Sequence, residues 1–268
     1  MNFIRHSLLA LQFFTRIPVT GRLAAWVGYS PDLMRASTAH FPGVGWLVGL
    51  VAALSFAGLR VLLPDVPGAA LVAAVTSTGL TVLLTGALHE DGLADVADGL
   101  GGTHERVRAL EIMKDSRVGA FGVLALVLAL LMKVALLSLL DSVDTGLVCA
   151  ALLAAHVSSR VWPLLLIRVL PYVGDAGGEG KSKSKPLAEQ ISTPSLIVAG
   201  VWLLGALALV QWVFDGVLWL WPLLASGLAF LAMWRLFARR LQGFTGDCLG
   251  ATQQVSELAF YLGLALSL

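Results

Sequence analysis

Runs of about 20 apolar residues, each long enough to cross a bilayer as a helix, recur along the chain and dominate its folding options. Seven spans are expected, at roughly 43–63, 69–88, 119–140, 145–169, 195–214, 217–236 and 251–268, each bounded by Pro, Gly or charge. Composition agrees: 57% of residues are hydrophobic, 13% are charged and the mean hydropathy is +0.84, outside the range of soluble domains. The expected fold is therefore an all-α, polytopic membrane bundle, a single domain over residues 1–268. The last segment opens polar, with "ATQQVSE", and is the least convincing span. Ahead of the first span, residues 1–20 hold an apolar stretch too short to cross and no small-residue cleavage site, which reads as a retained interfacial helix.

Basic residues are unevenly distributed. Arg5, Arg16, Arg22 and Arg35 precede the first span; Arg106, Arg108, Lys114 and Arg117 fall between the second and third. Arg168, Lys181, Lys183 and Lys185 follow the fourth, and Arg235, Arg239 and Arg240 follow the sixth. With seven spans these all share one side, whereas the opposite connections carry Arg60 and the acids Asp65, Asp141, Asp144 and Asp215. By the positive-inside rule the N-terminus and the polar loops 89–118 and 170–194 are expected to face the cytoplasm. Cys149 and Cys248 form neither a disulfide framework nor a metal-ligand spacing.

The sharpest chemical signal is "LHEDGLADVADGLGG", residues 88–102. If this stretch is helical, Asp91, Asp95 and Asp98 stand at i, i+4 and i+7 and share one face within about 10 Å along the axis. Like charges so placed beside a low-dielectric membrane repel, and a divalent cation offsets them. Carboxylate oxygens suit Mg²⁺ or Mn²⁺ held with water and substrate phosphate. Glu90 belongs to the same expected metal set, and Asp91, Asp95 and Asp98, with His89 after them, are the candidate catalytic residues. A solvated acidic loop paired with Arg106, Arg108, Lys114 and Arg117 is the competing reading.

Three further segments complete the expected site. In "EIMKDSRVGAFG", Asp115 is a candidate fourth carboxylate, and Lys114 and Arg117 are either phosphate ligands or interfacial anchors. In "AAHVSSRVWPLLL", Arg160 lies deep in a span, where an unpaired guanidinium is costly, and is expected to meet substrate phosphate or a site carboxylate. "GDAGGEGKSKSKP" is not a Walker phosphate loop: Gly174 precedes Gly180 by six residues rather than five, and no strand comes before it. Its Lys181 is a candidate substrate contact in a basic loop. Asp247, in the Gly-flanked turn of "GFTGDCLGA", is another, and Glu257 within the last apolar segment needs a buried partner.

Taken in order, "FFTRIPV", "HFPGVGWLVG", "HEDGLADVADG", "EIMKDSRVGAFG" and "GFTGDCLGA" resemble the cobalamin synthase family over nearly the whole chain. The resemblance implies a Mg²⁺-dependent enzyme of the bacterial inner membrane with its active site facing the cytoplasm. Its substrates would be adenosylcobinamide-GDP and α-ribazole or α-ribazole 5′-phosphate, with GMP released and Asp91, Asp95, Asp98 and Asp115 on the metal. The implied partners are those substrates and the lipid bilayer, with no nucleic acid; a homo-oligomer stays open. Asp95-Val96-Ala97-Asp98-Gly99 is also similar to the opening of the CDP-alcohol phosphotransferase motif, although "LGGT" departs from what should follow. A lipid phosphotransferase, or a transporter binding a cation or metabolite, is thus the alternative.

Overall fold

The computed structural model describes residues 2–175, 191–214 and 217–268. Lys181, Lys183, Lys185 and Asp215 lie outside the described residues. An N-terminal group of short helices, α1 (Asn2–Phe14), α2 (Gly21–Val27) and α3 (Pro31–Ser37), leads into α4 (Phe41–Leu62). Then come α5 (Ala69–Thr85), α6 (Leu88–Gly102), α7 (Arg106–Ile112), α8 (Ala120–Asp141), α9 (Thr145–Ser158) and α10 (Trp162–Val169). The last three are α11 (Thr193–Val213), α12 (Leu220–Arg240) and α13 (Gly246–Ala265). The described residues contain no strand, only a single bridge between Tyr172 and Phe244.

Five stretches are long and apolar enough to cross a membrane: Pro31–Leu62, Ala120–Asp141, Thr145–Val169, Thr193–Val213 and Leu220–Arg240. A sixth is formed by α5 and α6 together, bent by 90°. The segment expected as a seventh span is indeed helical, as α13, yet it falls outside this set. Its polar residues Thr252, Gln253, Gln254, Ser256 and Glu257 are buried inside the bundle. A helix bearing such a stripe is stable in a bilayer only where neighbouring helices satisfy its polar groups. Segment 89–118, expected as a loop, forms α6 and α7 instead.

The stretch Thr145–Val169 is the central one, 83% buried against 17% for α11. Small residues let α4 approach it. Gly45 and Gly49 lie four apart on α4, and a Cβ at Gly49 would stand 2.9 Å from Leu153 Cα. One at Gly45 would collide with the His156 carbonyl. This is the small-residue contact by which membrane helices gain van der Waals packing where lipid offers no hydrophobic drive. Leu50, Leu54, Val61 and Leu62 of the same helix remain exposed, as a lipid-facing flank requires.

The two ends of the bundle differ as the charge pattern anticipates. At one end Arg60 pairs with Asp141 at 2.8 Å and Asp65 at 3.5 Å. At the other, Arg106 donates to the Leu241 carbonyl, and Arg240 donates to those of Leu100 and Thr103. These guanidinium groups satisfy chain carbonyls where helices end, tying α6, α7 and α12 together.

Candidate active site

The site is built on the elbow between α5 and α6. Thr85 ends α5, and Gly86 N–H donates to Leu83 while Ala87 N–H donates to Val82, closing the helix through left-handed residues. Gly86 (φ 66°) and Ala87 (φ 57°) both occupy that region. Glycine does so freely, whereas Ala87 stores roughly 1–2 kcal/mol of strain. The elbow turns α6 across the bundle and puts Glu90 and Asp91 in its first turn, where the helix dipole favours anions.

The start of α13 closes on this helix through two glycines. A Cβ at Gly92 would lie 2.8 Å from the Asp247 carbonyl oxygen, and one at Gly250 would lie 3.2 Å from His89 Cα. The approach brings Asp247 beside α6, so that Asp95 lies in the field of Asp247, Asp91 and Asp98. Asp91 and Asp247 both line a cavity of about 580 Å³. Its other walls are the end of α1, from Gln12 to Arg16, with Phe41, His89 and the α10 residues Pro163, Leu164 and Ile167. Phe14, Phe41 and His89 form a stacked aromatic series, with centroid separations of 4.0 and 5.6 Å.

Behind the cavity lies a buried polar network. Glu257 accepts from Lys133 at 2.6 Å, Gln253 at 2.6 Å and Tyr261 at 3.1 Å, and lies 3.4 Å from His156 Nδ1. Gln254 Nε2 donates to Gln253 Oε1 and to Glu90 Oε1, both at 3.0 Å, which links the network to α6. Arg160 contacts His156 and lies over the Phe41 ring.

A model of the cobalamin-5-phosphate synthase family matches residues 6–265. The chain belongs to that family. Curated relatives carry the name adenosylcobinamide-GDP ribazoletransferase. One from Polaromonas sp. is 61% identical over 280 residues, spanning 100% of this chain and 98% of its own. Another from Polaromonas naphthalenivorans is 60% identical, spanning 100% of both. One from Leptothrix cholodnii is 46% identical over 261 residues, spanning 97% and 94%. No solved structure matches the chain.

In this member of the family the residues singled out from sequence separate into three groups. Asp91, Asp247 and His89 line the cavity, and Asp95 lies in the field of Asp91 and Asp247. Asp98, Glu90 and Arg160 turn inward. Asp98 Oδ2 accepts from Gly119 N–H at 2.7 Å and Oδ1 from Gly122 N–H at 2.8 Å, so its carboxylate caps the start of α8. The glycines there make room for it: a Cβ at Gly119 would stand 2.5 Å from Oδ1. Asp91, Asp95 and Asp98 therefore do not act as one open face. Arg160 does not line this cavity and forms no ion pair with a carboxylate among the described residues; its hydrogen bonds go to His156.

The third group sits elsewhere. Arg117 grips Asp115 through Nε and Nη2, at 3.0 and 2.5 Å, and these hydrogen bonds hold the pKa of the exposed Asp115 carboxyl down at about 2. Lys114 shares that turn, and neither it nor Arg117 lines the cavity. Lys181 lies outside the described residues. The part that the sequence reading missed is Gln12 to Arg16. The polar pair Thr15-Arg16 ahead of Pro18 was the available signal, submerged in an apolar helix taken as a membrane anchor.

Asp98→Asn should act on stability. An amide offers one acceptor oxygen, leaving one α8 N–H without its charged partner at a cost of roughly 1.5–3 kcal/mol. Thermal unfolding in detergent should register that loss; unchanged stability with lost activity would reassign Asp98 from the α8 cap to the reaction.

Proposed function

We propose that the chain transfers the adenosylcobinamide-phosphate moiety of adenosylcobinamide-GDP to a ribose hydroxyl of α-ribazole or its 5′-phosphate. The supporting observation is the convergence of Asp91 and Asp247 at one cavity, with Asp95 in their electrostatic field, in a member of this family. In the reaction a hydroxyl oxygen bonds to the phosphorus on the corrinoid arm, the bond from that phosphorus to the GMP oxygen breaks, and GMP departs.

Among the described residues no three His, Cys, Asp or Glu side chains already form a metal cage. The donor chemistry still fits Mg²⁺ or Mn²⁺, which take one or two carboxylates and fill the remaining positions with water and phosphate oxygens. Asp91 and Asp247, which line the cavity, would hold the ion, with Asp95 behind them adding negative charge. When bound, it supplies charge neutralisation on the diphosphate and on the leaving phosphate.

The chain's own residues do the rest. His89 lines the cavity, and its buried Nε2 has no hydrogen-bond partner, so the imidazole is placed to accept the hydroxyl proton. The aromatic series Phe14, Phe41 and His89 offers a flat apolar wall for a ring system and excludes water from the reacting phosphorus. The Glu90–Gln254 hydrogen bond fixes α6 against α13, keeping Asp91 and Asp247 on facing walls.

The basic residues at the start of α7 and the end of α12 support, by the positive-inside rule, a site that faces the cytoplasm from an inner membrane. Purified protein in lipid nanodiscs, given adenosylcobinamide-GDP, α-ribazole and Mg²⁺, should release GMP and form the joined corrinoid. Absence of both products from a folded preparation would overturn the reading; release of CMP from a CDP-alcohol would replace it with the lipid alternative.

A further inference from the structure

We infer that Arg16 is a phosphate-binding residue of this site, supplied from just beyond the N-terminal helix to the cavity that the acidic residues also line. The inference rests on the phosphotransferase reading above.

Among the residues lining the cavity, Arg16 is the one Lys or Arg. Asp91 and Asp247 line the same space, yet the described residues show no ion pair between Arg16 and either carboxylate. Opposite charges around one cavity normally collapse into contact unless the scaffold holds them apart, and here it does. Arg16 N–H donates to the Leu84 carbonyl at 2.7 Å, fixing the residue to the end of α5. Thr15 Oγ1 donates to Leu11 at 2.7 Å and accepts from Ile17 N–H at 3.1 Å, which ends α1 at this point.

The elbow is cut to receive the guanidinium stem. A Cβ at Gly86 would collide with Arg16 Nε, and the left-handed φ of Gly86 independently favours glycine. A cation whose backbone is anchored to α5, and two carboxylates lining the same cavity without pairing to it, give a charge pattern that suits a phosphate, its oxygens shared between guanidinium and a carboxylate-held cation. Two phosphates of the reaction carry this chemistry: the diphosphate of the nucleotide donor and the 5′-phosphate of a phosphorylated acceptor.

Steady-state kinetics of Arg16→Ala and Arg16→Lys in nanodiscs test the inference and separate the sources, using α-ribazole and α-ribazole 5′-phosphate as alternative acceptors. Arg16→Ala should raise one KM by about 10- to 100-fold, and Arg16→Lys, which keeps the charge but not the paired donors, by less. A raised KM for adenosylcobinamide-GDP with both acceptors places Arg16 on the diphosphate. A raised KM for α-ribazole 5′-phosphate alone, with α-ribazole unaffected, places it on the acceptor. Either outcome supports phosphate binding.

If every KM stays within about twofold of wild type, or if kcat alone falls, Arg16 does not bind phosphate. Should Arg16→Ala fail to accumulate, Arg16→Lys and Arg16→Gln carry the same comparison, with direct GMP binding as a readout free of turnover. An inactive wild-type preparation would instead count against the transferase reading itself.

Discussion

Asp247→Asn is expected to lower the rate of GMP release by about 10²–10³-fold, the scale on which one electrostatic contact to a transition state contributes. Asp247 lines the cavity and stands across the Gly92 contact from α6, within the field of Asp95 and Asp91. If Asp91 and Asp247 hold the divalent ion as proposed, removing this charge leaves Asp91 as its one carboxylate from the cavity wall, and the Mg²⁺ concentration giving half-maximal rate should rise with the loss of kcat. Asp115→Asn is the informative contrast, because Asp115 is committed to Arg117 at the surface and should change the rate by less than about threefold. Rates measured across a Mg²⁺ titration check both. If Asp115→Asn is crippled and Asp247→Asn is near wild type, the metal site belongs at the turn before α8.

The contrast between those acids shows what sequence could and could not convey. Helical spacing placed Asp91, Asp95 and Asp98 on one side of α6 correctly, since the 15 residues from Leu88 to Gly102 are helical. Spacing says nothing of what packs against that side. The α8 start takes Asp98, the α13 start supplies Asp247, and the choice follows from contacts between segments more than 20 residues apart in sequence.

Length and apolarity made five spans legible, but the 90° elbow depends on two left-handed residues that hydropathy does not register. α13 was ambiguous for the same reason: buried Thr252, Gln253 and Glu257 look polar in sequence and are satisfied only by partners on other helices. Glu257 announced that it needed a partner. Its partner Lys133, at 2.6 Å, comes from the distant α8, a pairing that spacing along the sequence does not reveal.

That pair carries the second large expectation. Lys133→Met should destabilise the fold by about 3–5 kcal/mol, because it leaves a buried carboxylate without its ammonium. Glu257→Gln should do comparable harm by stranding the ammonium. Both side chains are almost fully buried, at 5% and 2% exposure, so solvent cannot substitute for the missing charge. The double variant Lys133→Met/Glu257→Gln removes both charges and should recover much of the loss, giving a large coupling energy in a double-mutant cycle of thermal unfolding in detergent. Simple additivity of the two losses would mean that the pair is not the compensating unit. Activity should follow a different course. Glu257 also holds Gln253, whose Oε1 accepts from Gln254, and Gln254 in turn holds Glu90 one residue before Asp91. The double variant should therefore regain stability before it regains rate, because a glutamine at 257 restores neutrality without the ionised acceptor that orders this chain.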